Sequence, residues 1–413
     1  MATRRSHPKS RNGCIICKQR KIKCDESRPT CANCLRYGAS CSFTPPKAVP
    51  LPVLAPARLP IGALSSSSQS PDDTNSLGTD LQTTFTNLGI LANPSSTISS
   101  TPSGLDECRE FELLHHYCTF TADSLSQRLD RRHIWRVVLP QVGYHHDFVR
   151  HGVLALSAIH KAYLNPSQRQ VYLVLAAHYQ SQGLSGFRAI LPRITYNNWR
   201  AIFCFATIVI VYVYSLPLRA DDLRLEKPVH NLLELFTVVR GLRVTLEPFT
   251  HLIAKTEFAP VVHGIWIPEA EEKSVPSLEH TLLPPDTFPV LSSLRSLLQG
   301  ELPLSKTQHY DRAVDGLETC TKLVAYAGSY IEPGMVIWWS CILDETIIKD
   351  VESSDPHALV LLAHFLVLMN VTERVNWSVK GWAKPVLEDI ERCLHDRPGF
   401  IAHLHWPKAH INV

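Results

Sequence analysis

A small N-terminal module organised by cysteines, a disordered linker and a large all-α body make up the fold class this sequence predicts. Three observations predict it. Six of the twelve cysteines fall at positions 14, 17, 24, 31, 34 and 41. From Lys47 to about Gly104 the chain turns to proline, serine and threonine, with Phe85 its single aromatic. Beyond Leu105 apolar residues recur at helical spacing, and strand runs with regular hairpin turns are missing. With 413 residues, 45% of them hydrophobic, the chain has room for two or three domains and a real core. The expected segments are 1–46, 47–104 and 105–413.

The first segment is set apart by charge as well as by cysteine. A net charge of +3 hides an uneven distribution. Residues 1–46 hold ten Lys/Arg against Asp25 and Glu26, a net +8, and the rest of the chain is net −5. A basic block at one end of a mildly acidic body points to a polyanion partner for that end. The start, "MATRRSHPKSRNG", has no apolar run after its charges, so no secretory leader is expected. In the reducing interior of a cell, clustered cysteines more often bind metal than pair as disulfides.

The cysteine spacing is C-x2-C-x6-C-x6-C-x2-C-x6-C, one unit written twice. A structural zinc takes four thiolate or imidazole ligands in a tetrahedron. No histidine lies between Cys14 and Cys41, and six thiols are too many for one ion. Two ions need eight ligand positions, which six thiolates supply when two of them bridge. The symmetric choice for the bridges is Cys14 and Cys31. One zinc would then take Cys14, Cys17, Cys24 and Cys31, and the other Cys31, Cys34, Cys41 and Cys14. A disulfide knot or a small reduced core is the competing reading, and the regular repeat argues against both. The segment has few large apolar residues (Ile15, Ile16, Ile22, Leu35), so metal would have to supply its folding free energy.

On this spacing, residues 10–43 resemble the fungal binuclear zinc-cluster transcription factors, and Pro29 fits the turn between that family's two halves. The resemblance implies two Zn2+ per chain, double-stranded DNA as partner, a nuclear location and regulation of RNA polymerase II genes. The two halves differ in charge: "KQRKIK" follows the first C-x2-C, whereas "LRYGAS" with Arg36 alone follows the second. The first half is therefore expected to approach DNA. Two Zn2+ and six thiolates sum to −2, which leaves the module at about +6 and its DNA affinity strongly salt-dependent. The resemblance assigns base-edge contacts to Lys18 and Lys21, and phosphate contacts to Arg20 and Lys23. Arg11, with Arg4, Arg5 and Lys9, is read as serving nuclear import and loose phosphate contact.

The linker holds "PPKAVPLPVLAPARLP" and "NPSSTISSTPSG", and its prolines break any heptad pattern. Any homodimer is accordingly expected through the helical body. There, "HHDFVRHGVLALSAIHKAYL" places Phe148, Val149, Val153, Leu156, Ile159 and Tyr163 on one helical face, and "HALVLLAHFLVLMN" reads as a central helix. The uncharged run 201–218 is long enough to raise a membrane span. Its length at the lower limit and Pro217 favour a buried core helix, so no integral membrane association is expected. The single cysteines 108, 118, 204, 320, 341 and 393 read as small core residues.

The body carries a second resemblance. "ELLHHYCTFTADSLS", "IWRVVLPQVGYHHDFVRHGVLALSAIHKA" and "VKGWAKPVLEDIERCL" are similar to the regulatory domain of the sterol-uptake-control subgroup. That resemblance implies a hydrophobic small-molecule effector, and target genes for sterols and lipids or for a secondary-metabolite cluster. Where the subgroup has a doubled tryptophan before a glycine, this chain reads Asn376-Trp377-Ser378.

The sequence has no phosphate-binding glycine loop, no H-E-x-x-H and no G-x-S-x-G. No enzymatic activity is expected. The alternative is an enzyme or effector-binding body that the zinc module only brings to DNA. His145, His146 and His151 read as surface or satisfied core residues, and His364 as bonded to a backbone carbonyl.

Overall fold

The computed structural model describes residues 14, 17, 22–25, 31–36, 103–220, 225–262 and 274–411. The chain divides into two compact units, Met1–Ser66 and Ser67–Val413. In the first, helix α1 (Ala32–Arg36) follows Cys31. The described residues of the second form helices joined by turns, with no strand among them. The linker read from the sequence lies outside them up to residue 102.

Helix α2 (Ser103–His116) opens the body and widens into a π-helical turn, Tyr117–Thr121. A second π-helical turn, Ile134–Val138, follows from the sequence around Pro140. The Leu139 N–H bonds the Ile134 carbonyl, five residues back. The next donor in that register would be Pro140, which has no N–H to give the Trp135 carbonyl. The buried Tyr117 hydroxyl donates to that carbonyl instead, at 2.9 Å.

Helices α3 (Asp147–Leu164) and α4 (Arg169–Ile190) form a tightly packed pair, with α5 (Trp199–Tyr214) against α3. Phe148, Val149, Val153, Leu156 and Ile159 are buried, as their spacing predicts. Tyr163 is 37% exposed, because it lies in the last turn and stacks on Trp377 rather than entering the core. Two glycines make room for Phe205 of α5. A Cβ on Gly152 or Gly183 would come within 2.9 Å or 2.7 Å of that ring. Phe205 in turn meets Phe148 edge-on at 5.5 Å and Phe187 at 5.0 Å. The uncharged 201–218 run is thus a core helix that stops at Tyr214, ahead of Pro217.

Helices α6 (Pro228–Leu246), α7 (Thr287–Glu301) and α8 (Leu304–Ala327) lead to α9 (Pro356–Val375). Among the described residues α9 alone is long and apolar enough to span a bilayer, yet 78% of its apolar window is buried in the body. Phe365 of α9 stacks on Trp339 at 4.6 Å, and Phe236 of α6 meets both rings edge-on. The Trp339 indole N–H is satisfied by the Ala313 carbonyl at 2.8 Å, as a buried tryptophan requires.

Two carboxylates join parts of the body distant in sequence. Glu332, buried, accepts from the Ser126 hydroxyl (2.6 Å) and the Gln127 and Arg128 N–H groups (2.8 and 3.1 Å), and pairs with Arg131 at 3.2 Å. Glu373 accepts from the backbone N–H groups of Gly381, Trp382 and Ala383. It thereby caps α10 (Ala383–Cys393) from another helix. Gly381 is required there: its φ is +96°, and a Cβ would meet Pro217 at 2.9 Å.

The single cysteines do not all behave as core residues. Cys204 and Cys320 are buried, Cys118 and Cys341 are half-buried, and Cys108 and Cys393 are exposed. Cys108 lies on the solvent side of α2 and Cys393 on the last turn of α10, and a composition argument carries no information about which side a residue faces.

Candidate metal centre

Cys14, Cys17, Cys24, Cys31 and Cys34 form a buried cluster of their own, separate from the apolar core. Cys41 lies outside the described residues. The local fold repeats across the two C-x2-C turns. The Cys17 N–H points at the Cys14 sulfur, and the Cys34 N–H at the Cys31 sulfur, both at 3.4 Å. The Cys14 N–H reaches the Cys24 sulfur, also at 3.4 Å. In each turn the first sulfur is the one that backbone dipoles stabilise as a thiolate.

The sulfurs are close enough to share metal. Cys14 Sγ lies 3.7 Å from Cys31 Sγ and 3.6 Å from Cys34 Sγ, and Cys17 Sγ lies 3.6 Å from Cys31 Sγ. Four sulfurs, those of Cys14, Cys17, Cys24 and Cys31, all fall within 4.8 Å of one another. Thiolates about 2.3 Å from a tetrahedral zinc sit about 3.8 Å from one another, so the spacing fits a zinc tetrathiolate. Cys14 and Cys31 each approach two sulfurs of the opposite half.

Without a cation, so many thiols at this spacing cannot all ionise. Burial pushes the Cys14 thiol up, but the Cys17 N–H and the surrounding thiols outweigh it and hold it at about 6. Burial, with Cys14, Cys31 and Cys24 alongside, pushes Cys17 up to about 12. A divalent cation removes that conflict, because a coordinated thiol is deprotonated outright.

Of the basic residues singled out, Lys23 is exposed, while Arg11, Lys18, Arg20 and Lys21 lie outside the described residues. Sequence reasoning passed over two neighbours of the cysteines. Asp25 accepts the Ala32 N–H on both carboxylate oxygens, at 3.0 and 3.2 Å. Asn33 donates from Nδ2 to the Lys23 carbonyl at 2.7 Å. The position of Asp25, directly after a cysteine in a basic segment, was the available signal.

Among the described residues the cysteines form the one group of three or more metal-ligating side chains. His364 is buried and donates from Nδ1 to the Val360 carbonyl at 2.8 Å, as expected. His145 and His146 line a cavity of about 530 Å3 with Tyr144, Asn197 and Arg200. A cavity of about 230 Å3 has Leu283, Val367, Val371, Arg374 and His410 in its wall.

Residues 12–48 match the family described as the fungal Zn(2)-Cys(6) binuclear cluster domain, and residues 112–198 the fungal specific transcription factor domain. A Zn(2)-C6 fungal-type transcription factor of Gibberella zeae is 25% identical over 451 residues, covering 98% of this chain and 86% of the relative. A second, afumD of Aspergillus fumigatus, is 28% identical over 209 residues, 50% of this chain and 47% of its own. Sterol uptake control protein 2 of Candida albicans is 52% identical over 40 residues, 10% of this chain and 6% of the relative. With the clustered thiols and a body that has no strand among the described residues, these matches give the chain a fungal Zn(2)-Cys(6) binuclear cluster domain and a fungal specific transcription factor domain, and mark it as similar to the Zn(2)-C6 fungal transcription factors, DNA-binding regulators of transcription.

Proposed function

We propose that the chain acts in the nucleus as a sequence-specific regulator of RNA polymerase II genes and that its first 46 residues hold two zinc ions. Cys14, Cys17, Cys24 and Cys31 bind one ion, and Cys31, Cys34, Cys41 and Cys14 the other. The observation that supports this reading most is the approach of Cys14 and Cys31 to each other and to a further sulfur of the opposite half. Zinc, when bound, organises the module and offsets its thiolate charge, and the basic run after Cys17 meets DNA. Lys18 and Lys21 read base edges, while Arg11, Arg20 and Lys23 engage phosphates.

The helical body, 105–413, serves regulation rather than catalysis. It supplies the contact for any homodimer, since the 47–104 linker has no heptad pattern. A hydrophobic effector would sooner fit the cavity of about 530 Å3 beside Val138, Val142 and Tyr144 than the one beside Val367 and Val371, which is below the ~300–1,000 Å3 of ordinary ligand pockets. Sterol, lipid or secondary-metabolite genes are the proposed targets. The name of the Candida albicans relative supports the sterol reading.

The test compares two alanine variants of the full chain on cognate and altered DNA sites. Lys21→Ala should relax preference at one base pair by roughly 1–3 kcal/mol. Arg20→Ala should weaken all sequences alike and flatten the salt dependence by about one unit. Equal, sequence-independent losses for both would refute the assignment.

A further inference from the structure

Within each half of the cysteine module, the C-x2-C pair is held together by a turn only four residues long. Cys24 is different. Six residues separate it from Cys17 and six from Cys31. It is the ligand of the first half with the most chain freedom to lose, and a ligand so tethered is the easiest to detach. The hydrogen bonds around it are placed to remove that freedom. Asp25, the residue after Cys24, takes the Ala32 N–H on both oxygens, and Lys23, the residue before Cys24, has its carbonyl bonded by Asn33 Nδ2. Ala32 and Asn33 are the two residues that follow Cys31. Cys24 is therefore gripped on both sides against the turn that carries the proposed bridging sulfur.

Asp25 and Ala32 are exposed and Asn33 is half-exposed, so little apolar burial accompanies the bonds. Two features nonetheless separate this clasp from ordinary surface bonding. Both bonds cross between the two halves of the module and neither contains a sulfur. One of them also fixes the backbone of Lys23, the last basic residue of the run proposed to meet DNA. Resting on the zinc- and DNA-binding reading above, we infer that Asp25 and Asn33 are positioning residues, which keep Cys24 on its zinc and aim Lys23 at the phosphate backbone.

The experiment uses the full chain loaded with zinc and follows transfer of the metal to a chromophoric chelator. The wild type should release its two ions together, since the bridging thiolates couple them. Asp25→Ala and Asn33→Ala should release one ion ahead of the other, about tenfold faster, the usual cost of removing a group that orients a ligand. Asp25→Asn keeps a carbonyl oxygen for the Ala32 N–H and should restore single-phase release. Asn33→Ala should also lower the salt slope of DNA binding by about one, the contribution of one phosphate contact. Wild-type release from both alanine variants would overturn the clasp while the zinc reading stands. A wild-type chain that takes up no zinc would overturn both. If zinc binds and DNA does not, the release traces alone decide. Should an alanine variant fail to hold zinc, Asp25→Asn decides: wild-type release upholds the clasp, and fast release overturns it.

Discussion

The cysteine module and the helical body reach order by opposite routes. In the body, Phe205, Trp339 and Phe365 are almost entirely out of solvent, and a single apolar cluster runs from Leu113 to Ile411. Burial on that scale drives folding by itself. In the module the buried residues among those described are the five cysteines. Their sulfurs would repel one another as thiolates, so a metal must supply the attraction that apolar contact supplies elsewhere. The difference predicts that the stability of the body and the metal-dependent order of the module are separable. A change should be able to abolish one without touching the other.

The largest expected effect within the body is at the aromatic stack. Trp339→Ala removes a ring stacked on Phe365 and leaves the Ala313 carbonyl without its indole partner. Such a truncation typically costs about 3–5 kcal/mol. Chemical denaturation should report a loss of that size, while zinc content per chain stays at the wild-type value. A parallel fall in zinc content would mean that the two regions are not independent.

Acid should also act on the body. Burial holds His364 and His160 down at about 4, against an ordinary imidazole value near 6.5. Between those values the unfolded chain binds protons that the folded one refuses. The histidine contribution is thus fully present above pH 6.5 and is lost as the pH falls toward 4. For His364, which is 5% exposed, the loss is of the order of 3 kcal/mol. Denaturation midpoints followed by tryptophan fluorescence should fall through that window, and His364→Gln should flatten the dependence. An unchanged pH profile in that variant would show that other groups carry it.

Legibility followed the same division. The cysteine array was readable because metal ligation demands residue types at fixed spacing, and spacing is written in the sequence. The buried faces of α3 and α9 were readable because a repeat near 3.6 residues marks a core-facing helix. The π-helical turn at Ile134–Val138 was not: Pro140 is visible in the sequence, but the hydroxyl that takes up the carbonyl it leaves free comes from another segment, at Tyr117. Nothing in the sequence singled out Glu332 and Glu373 either. Their donors include backbone N–H groups, which have no sequence signature, and those of Glu332 lie some 200 residues away. Cys108 and Cys393 were misjudged because residue type was taken as a guide to burial. Asp25 counted only as a charge, and its hydrogen bonds became visible once Ala32 was placed beside it.

The most direct measurement strips zinc from the full chain with a strong chelator and follows three signals in one sample: zinc content, DNA affinity and the thermal transition of the helical body. The account predicts that two zinc ions leave, that DNA affinity at the specific site disappears, and that the body melts at its original temperature. Specific DNA binding that survives at zero zinc, or a body transition that collapses with metal loss, would contradict it.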